Sequence, residues 1–176
     1  MEKTLSSKKI YDGNVIKLRV DEIENDEGKK GSREIISHNG GAAVLAVKDG
    51  KILLERQFRY AYGEELWEVP AGKRDKNEDF AVTARRELEE ETGYVPTSLK
   101  EIFTMYPSPG YTDEIIKIFY ADEFVSGKTH LDETEELTAE WVDEKHAYKL
   151  INDGKVKDAK TLIALLWNKA KENERA

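Results

Sequence analysis

The chain has 176 residues, 39% of them apolar and 36% charged, and its 28 Lys and Arg stand against 36 Asp and Glu for a formal net charge of −8. That length fits one domain, or one domain with a small appendage, and the composition excludes a disordered chain and a membrane protein. Without cysteine there is no disulfide scaffold, thiolate zinc site or cysteine nucleophile; the negative charge disfavours nucleic acid as the main partner and suits a protein that holds divalent cations.

The opening residues Met1 to Ser6 lack an apolar signal region, and no run approaches the ~18 apolar residues of a membrane span, so a cytoplasmic protein is expected. Residues 14–23 alternate Ile16, Leu18 and Val20 with Lys17, Arg19 and Asp21, the pattern of a half-buried strand. Residues 25–32 are polar and carry Gly28 and Gly31, which predicts a turn, and Arg33 to Ser37 return as a second strand. Residues 1–39 are therefore expected to form a small N-terminal antiparallel β-sheet, and residues 40–176 the main domain. Ala42 to Val47 is an apolar run, Asp49-Gly50 is a strong hairpin signal, and Lys51 to Phe58 is the next strand. Leu66 to Val69 is short and apolar, and Pro70 breaks it. The spacing predicts a helix over 79–92, with Ala81, Ala84 and Leu88 on one face, Phe80 beside them and Gly93 as the C-terminal stop. Strands are predicted at 99–106, 114–121 and 138–142, and a second amphipathic helix at 158–171 through Leu162, Leu165, Leu166 and Trp167. Strands mixed with two solid helices, without regular alternation, point to an α/β sandwich around a mixed sheet.

The chemistry is concentrated between Gly72 and Tyr94. Glu87 and Glu91 are four apart on the predicted helix, so both carboxylates leave one face, and Glu90 lies near the same edge. Like charges at that spacing destabilise a bare helix by roughly 0.2–0.5 kcal/mol per pair, and the negative end of the helix dipole adds to the cost. Either the helix simply presents a glutamate-rich surface, or a cation joins the three acids. Hard oxygen ligands of this kind select Mg²⁺ or Mn²⁺. Arg86, within reach of Glu90 and Glu78, is suited to hold such carboxylates in place.

This segment resembles the Nudix box, G-x5-E-x7-R-E-U-x-E-E-x-G-U with U aliphatic. Gly72, Glu78, Arg86, Glu87, Glu90, Glu91 and Gly93 occupy all seven fixed positions; at roughly 7% usage per residue type, chance supplies that on the order of 10⁻⁸ per start point. The final aliphatic position departs, because Tyr94 stands there. The resemblance implies an α/β/α sandwich and a Mg²⁺- or Mn²⁺-dependent hydrolase, with two or three ions per site. It implies that Glu87 and Glu91 are core metal ligands, Glu91 therefore counting among the catalytic residues. Glu90 is then a third or bridging ligand, and the backbone carbonyl of Ala71 completes the site. Gly72 borders the substrate, and Glu78 and Arg86 orient the box.

The flanks are similar to the ADP-ribose pyrophosphatase branch of that family, in Ala42 to Val47, Arg56-Gln57-Phe58-Arg59, Trp67-Glu68-Val69-Pro70-Ala71-Gly72, and Ser108-Pro109-Gly110 followed by Glu114. Pro109 lies sixteen residues past Gly93, a spacing characteristic of the branch. Arg56 and Arg59 are either surface salt-bridge partners or bidentate contacts to a diphosphate, which the planar guanidinium fork suits. Glu114 is either a solvated strand residue or, by resemblance, a contact to the terminal ribose. Arg33 either pairs across the N-terminal sheet or reaches the nucleotide. His38 and His130 lack ligand spacing. Asp132 to Glu136 is an acidic stretch in a predicted loop, either an ordinary charged loop or one that carries a general base to the metal site; by resemblance Glu133 is the base and Glu135 a further metal ligand. The branch also implies a homodimer formed through the N-terminal sheet, which helps to build the adenine site. The expected substrate is a nucleoside diphosphate sugar, ADP-ribose, cleaved to AMP and ribose 5-phosphate. The alternatives are a Nudix pyrophosphatase for another nucleotide sugar such as GDP-mannose, and a non-catalytic Nudix nucleotide-sensing or interaction module.

Overall fold

The computed structural model describes residues 1–131 and 136–175. They form two compact units, residues 1–40 with 106–115, and residues 41–105 with 116–176.

In the first unit β1 (Glu2–Asp12), β2 (Lys17–Asn25) and β3 (Lys30–Ser37) form an antiparallel sheet in that order. The β2–β3 turn is built on Asn25. Its side-chain oxygen accepts from the Glu27 and Lys29 amides, and Gly28 adopts φ +77°, which a side chain would resist. The turn is shorter than predicted, because β2 continues to Asn25 and β3 starts at Lys30. The sequence carries no sign of β1: all eleven of its residues are exposed, so its backbone pairing, not a buried face, makes it a strand. The 106–115 segment joins this unit through Ile36 N–H to Tyr111 O (2.7 Å), Asp113 N–H to Ile36 O (3.1 Å) and His38 N–H to the Asp113 carboxylate (2.9 Å).

The second unit contains β4 (Gly41–Lys48), β5 (Lys51–Arg59), β6 (Glu64–Glu68), β7 (Ala71–Lys73), α1 (Phe80–Thr92), β8 (Tyr94–Pro96), β9 (Lys100–Met105), β10 (Ile116–Ala121), β11 (Phe124–Ser126), β12 (Leu137–Asp143), α2 (Glu144–Asn152) and α3 (Ala159–Arg175). The main sheet has the order β12-β5-β4-β10-β9, with β6 paired to β5 and β7 to β4. β10 runs parallel to β4 and the other pairs are antiparallel, so the sheet is mixed.

Period two explains the uninterrupted apolar run of β4. Ala43 and Leu45 join Ile52 and Leu54 against Ala147, Leu150, Ala164 and Leu165 of α2 and α3. Ala42, Val44, Ala46 and Leu53 point the other way, against Ala84 and Leu88 of α1. Both faces are covered, which makes the α/β/α sandwich. Asp49 and Gly50 both take positive φ, 52° and 72°, as a two-residue hairpin requires. Tyr94, the departure from the aliphatic pattern, packs edge-on against Trp141 (5.5 Å) and Phe124 (6.2 Å). No described helix is long and apolar enough to cross a membrane.

The short helix α2 was not anticipated. It is capped by Asp143, whose carboxylate accepts from the Lys145 amide, and it docks on α3. Asn168 Nδ2 donates to Glu144 (3.1 Å) and to the Tyr148 hydroxyl (2.9 Å), which donates to Glu172 (3.0 Å). Burial, and then the hydrogen bond with Glu172, push the Glu144 carboxyl from its ordinary 4.5 up to about 7. The folded chain therefore holds a proton that the unfolded chain releases, and stability is lost as pH rises from 4.5 to about 7. The melting temperature of the wild type is expected to fall across that interval relative to Glu144→Gln; identical pH profiles for the two proteins would dismiss this.

Candidate active site

Helix α1 sets out the box. Its N-cap Asp79 accepts from the Ala81 amide at 2.8 Å, and Gly93 closes it in the left-handed conformation (φ 73°), with its N–H on Glu89 O. Thr83, Ala84, Leu88 and Glu91 are its buried residues. Seating the apolar stripe on the sheet turns the edge that carries Glu87 and Glu91 toward the Ala71–Gly72 strand. The Glu91 carboxylate, only 6% exposed, accepts from the Ala71 amide at 3.0 Å. Glu87 lies so close to Gly72 that a Cβ built there would overlap its carboxylate.

Arg86 gathers the remaining box acids. Its Nη1 donates to Glu87 (2.8 Å) and Glu90 (3.0 Å), and Nε and Nη2 reach Glu78 (3.4 and 3.2 Å). Nη2 also bonds the Lys73 carbonyl at 3.2 Å, tying the helix to β7. Partial burial opposes the charged guanidinium, but hydrogen bonds and charge from Glu78, Glu87 and Glu90 outweigh it and raise its pKa above the ordinary arginine value. In return Arg86, aided by Thr83 and the Asp75 amide, holds the Glu78 carboxyl below the usual carboxylate range. The like-charge repulsion foreseen along this helix is thus offset within the chain.

By type, the carboxylates of Glu87, Glu90 and Glu91 and the Ala71 carbonyl are the hard oxygen donors that a divalent cation takes. Glu87, Glu90 and Glu91 share one helix edge, and Glu87 is pressed against backbone that carries the Ala71 carbonyl. Among the described residues, no three Asp, Glu or His side chains are grouped as they would be around one ion. Arg86 keeps Glu87 and Glu90 on its own fork, while Glu91 is turned to the Ala71 amide. Glu133 and Glu135 lie outside the described residues. The chain leading to them is tied to α1, with Gly127 N–H on Gly93 O and His130 N–H on Glu90 O, both at 2.8 Å.

The two flanking arginines separate. Arg56 lies over Trp67 (5.5 Å to the ring centre), with Nε 3.8 Å from Glu140, on the α2–α3 face. It borders a cleft of about 410 Å³ with Leu150 and Lys155. Arg59 forms a two-pronged pair with Glu68, at 2.6 and 2.8 Å. That carboxylate, with the charges of Asp158 and Glu91 adding, raises the Arg59 pKa above its ordinary value. Burial opposes ionisation of Glu68, but Arg59 and Lys160 override it and keep its pKa low. In the first unit, Arg33 is paired with Glu2 across the sheet, and the Glu114 carboxylate sits 3.2 Å from His38 Nδ1. From sequence, Glu68 stands only as a member of the Trp67–Gly72 stretch, and neither it nor Lys160 carries a role. They are 92 residues apart, and no local pattern joins them.

An α/β/α sandwich whose box helix is clamped by one arginine against a glycine-bearing strand marks a hydrolase of phosphoanhydride bonds. The chain belongs to the NUDIX family: the NUDIX domain model matches residues 37–165, and the nucleoside diphosphate sugar hydrolase N-terminal domain model matches residues 2–36. It is 44% identical over 174 residues to an ADP-ribose pyrophosphatase of Bacillus subtilis (strain 168), covering 97% of this chain and 94% of that one. It is 38% identical over 175 residues to a methanol dehydrogenase activator of Bacillus methanolicus, covering 97% and 94%. The fold is similar to a crystal structure of an ADP compounds hydrolase, with a TM-score of 0.88 at 19% identity over 99% of this chain and 96% of that one.

Proposed function

We propose that the chain hydrolyses the diphosphate bond of ADP-ribose to AMP and ribose 5-phosphate, with Mg²⁺ or Mn²⁺. The observation that carries this is the paired-carboxylate edge of α1 facing the Ala71–Gly72 strand. The substrate class is supported by the 44% identity to a protein named for that activity.

Glu87, Glu90, Glu91 and the Ala71 carbonyl would hold the cation. A bound divalent ion there supplies charge neutralisation at the diphosphate and a more acidic water. Arg59, with two of its N–H donors on Glu68, has donors left for the non-bridging phosphate oxygens, where negative charge grows in the transition state. Arg56 lies on the other face of the sheet and has a weaker claim to that contact. Glu133 accepts the proton of the attacking water. The water oxygen bonds to phosphorus, the bridging P–O bond breaks, and its electrons leave with the departing phosphate.

A homodimer through the N-terminal sheet accompanies this reading. It is supported by the exposed Leu5, Ile10, Tyr11, Val15 and Ile16 of the first unit. In it Arg33 and Glu114 would serve the nucleotide and the terminal ribose.

Turnover of ADP-ribose beside GDP-mannose, with Mg²⁺, tests the substrate; preference for GDP-mannose would reassign it, and ADP-ribose binding without hydrolysis would point to a sensor. Glu133→Gln should lower kcat about a hundredfold, the lower end for general base loss, with KM little changed. An unchanged kcat would remove Glu133 as the base.

A further inference from the structure

The Arg59–Glu68 pair is one end of a longer chain of contacts. Glu68, at the end of β6, is 3% exposed, and Lys160 in the first turn of α3 is 8% exposed. Lys160 Nζ bonds the same Glu68 oxygen, Oε2, that accepts from Arg59 Nη2. Lys160 also pairs with Asp158 at 3.1 Å. Asp158 Oδ2 accepts from the Thr161 amide (2.9 Å) and hydroxyl (2.6 Å), and the Thr161 hydroxyl oxygen accepts from the Val69 amide at 2.9 Å. The start of α3 is thus fastened to the backbone next to Glu68, two residues before Ala71.

We infer that Lys160 is a positioning residue: through Glu68 it sets the orientation of the Arg59 guanidinium toward the diphosphate. The inference rests on the reading of Arg59 above and deepens it. A buried carboxylate shared by two cations has its two oxygens assigned. Oε1 is left to Arg59 Nε, and Oε2 is divided between Arg59 and Lys160. Without Lys160 the carboxylate is held by Arg59 alone, and the pair loses the contact that anchors it to α3, so the two can shift together. A second cation also keeps Glu68 from consuming all of the arginine's charge, so part of that charge remains for an incoming anion. Arg59 is 38% exposed at its side chain, which leaves it the side open to solvent.

Such a role predicts an effect on substrate affinity that runs through Arg59 alone. Steady-state turnover of ADP-ribose with Mg²⁺ should give Lys160→Met a KM raised about tenfold with kcat within about twofold, the signature of lost binding common to ground and transition states. On the Arg59→Ala background Lys160→Met should raise KM no further, and Lys160→Arg should restore most of the affinity. An unchanged KM, or an equal rise on both backgrounds, would overturn the inference. If Lys160→Met melts far below the wild type, Lys160→Gln gives the same comparison with less disturbance. A readout free of substrate separates this from the choice of ADP-ribose. In protein with ¹⁵N-labelled arginine, the Arg59 Nε–H resonance, identified by its loss in Arg59→Ala, should be protected from exchange and should lose protection in Lys160→Met. A wild type inactive on ADP-ribose that shows this change would refute the substrate and retain the positioning role. A resonance indifferent to Lys160 would refute the positioning role.

Discussion

Glu91→Gln is expected to lower ADP-ribose turnover at saturating Mg²⁺ about a hundredfold or more, with little change in melting temperature. The substitution is nearly isosteric, and the amide oxygen of Gln can still accept from the Ala71 N–H that now bonds Glu91 at 3.0 Å. Packing and that hydrogen bond are therefore kept, and the negative charge alone is lost. A buried carboxylate at 6% exposure is useful here as a charge. A Lewis-acid site contributes several kcal/mol to a transition state of this kind, and about 3 kcal/mol corresponds to roughly a hundredfold in rate. Initial rates across a Mg²⁺ titration decide the matter. Full activity at saturating metal would remove Glu91 from the ligand set, and a curve displaced only along the metal axis would demote it to a secondary ligand.

Gly72→Ala is expected to cut activity about tenfold or more and to raise the Mg²⁺ concentration needed for half-maximal rate, the scale seen when groups that orient a metal ligand are changed. The cause is steric. A methyl at position 72 enters the volume held by the Glu87 carboxylate, which Arg86 keeps in place at 2.8 Å. The carboxylate has to swing away, either breaking its bond to Arg86 or leaving the edge it shares with Glu91. Gly72 stands at an ordinary backbone conformation, so close approach and not a turn explains this glycine. Metal titration of the variant, with circular dichroism to establish folding, reads the effect. Wild-type metal dependence in a folded Gly72→Ala protein would mean that Glu87 is not held against this strand for a cation.

Much of the second unit was legible before any coordinates. The Asp49-Gly50 hairpin, the limits of α1 near 79–92 and the Gly93 stop depend on local backbone preferences, and the structure has all three. The box acids were legible for the same reason, since helical period fixes which side chains share an edge. Element β1 was invisible because it buries none of its residues, and a strand held by pairing alone leaves no pattern. Helix α2 was missed because its nine residues are fewer than the roughly 11–18 over which helical period is read, although Ala147, Tyr148 and Leu150 do form a buried side. The two arginines of the 56–59 segment were read as a pair although they are three apart. On a strand that spacing puts them on opposite faces, and the structure gives Arg56 to Trp67 and Arg59 to Glu68.

The residue types, their spacing and the side of the helix they occupy were all present in the linear chain, because each is governed by neighbours within a turn or two. Which strand the carboxylate edge would face, and that Arg86, expected to reach Glu90 and Glu78, would also take Glu87 and the Lys73 carbonyl, followed only once Ala84 and Leu88 were seated on the sheet. The Glu68–Lys160 contact belongs wholly to that second kind. It spans 92 residues, and a buried ion pair exists only after burial has removed the water that would otherwise solvate both charges.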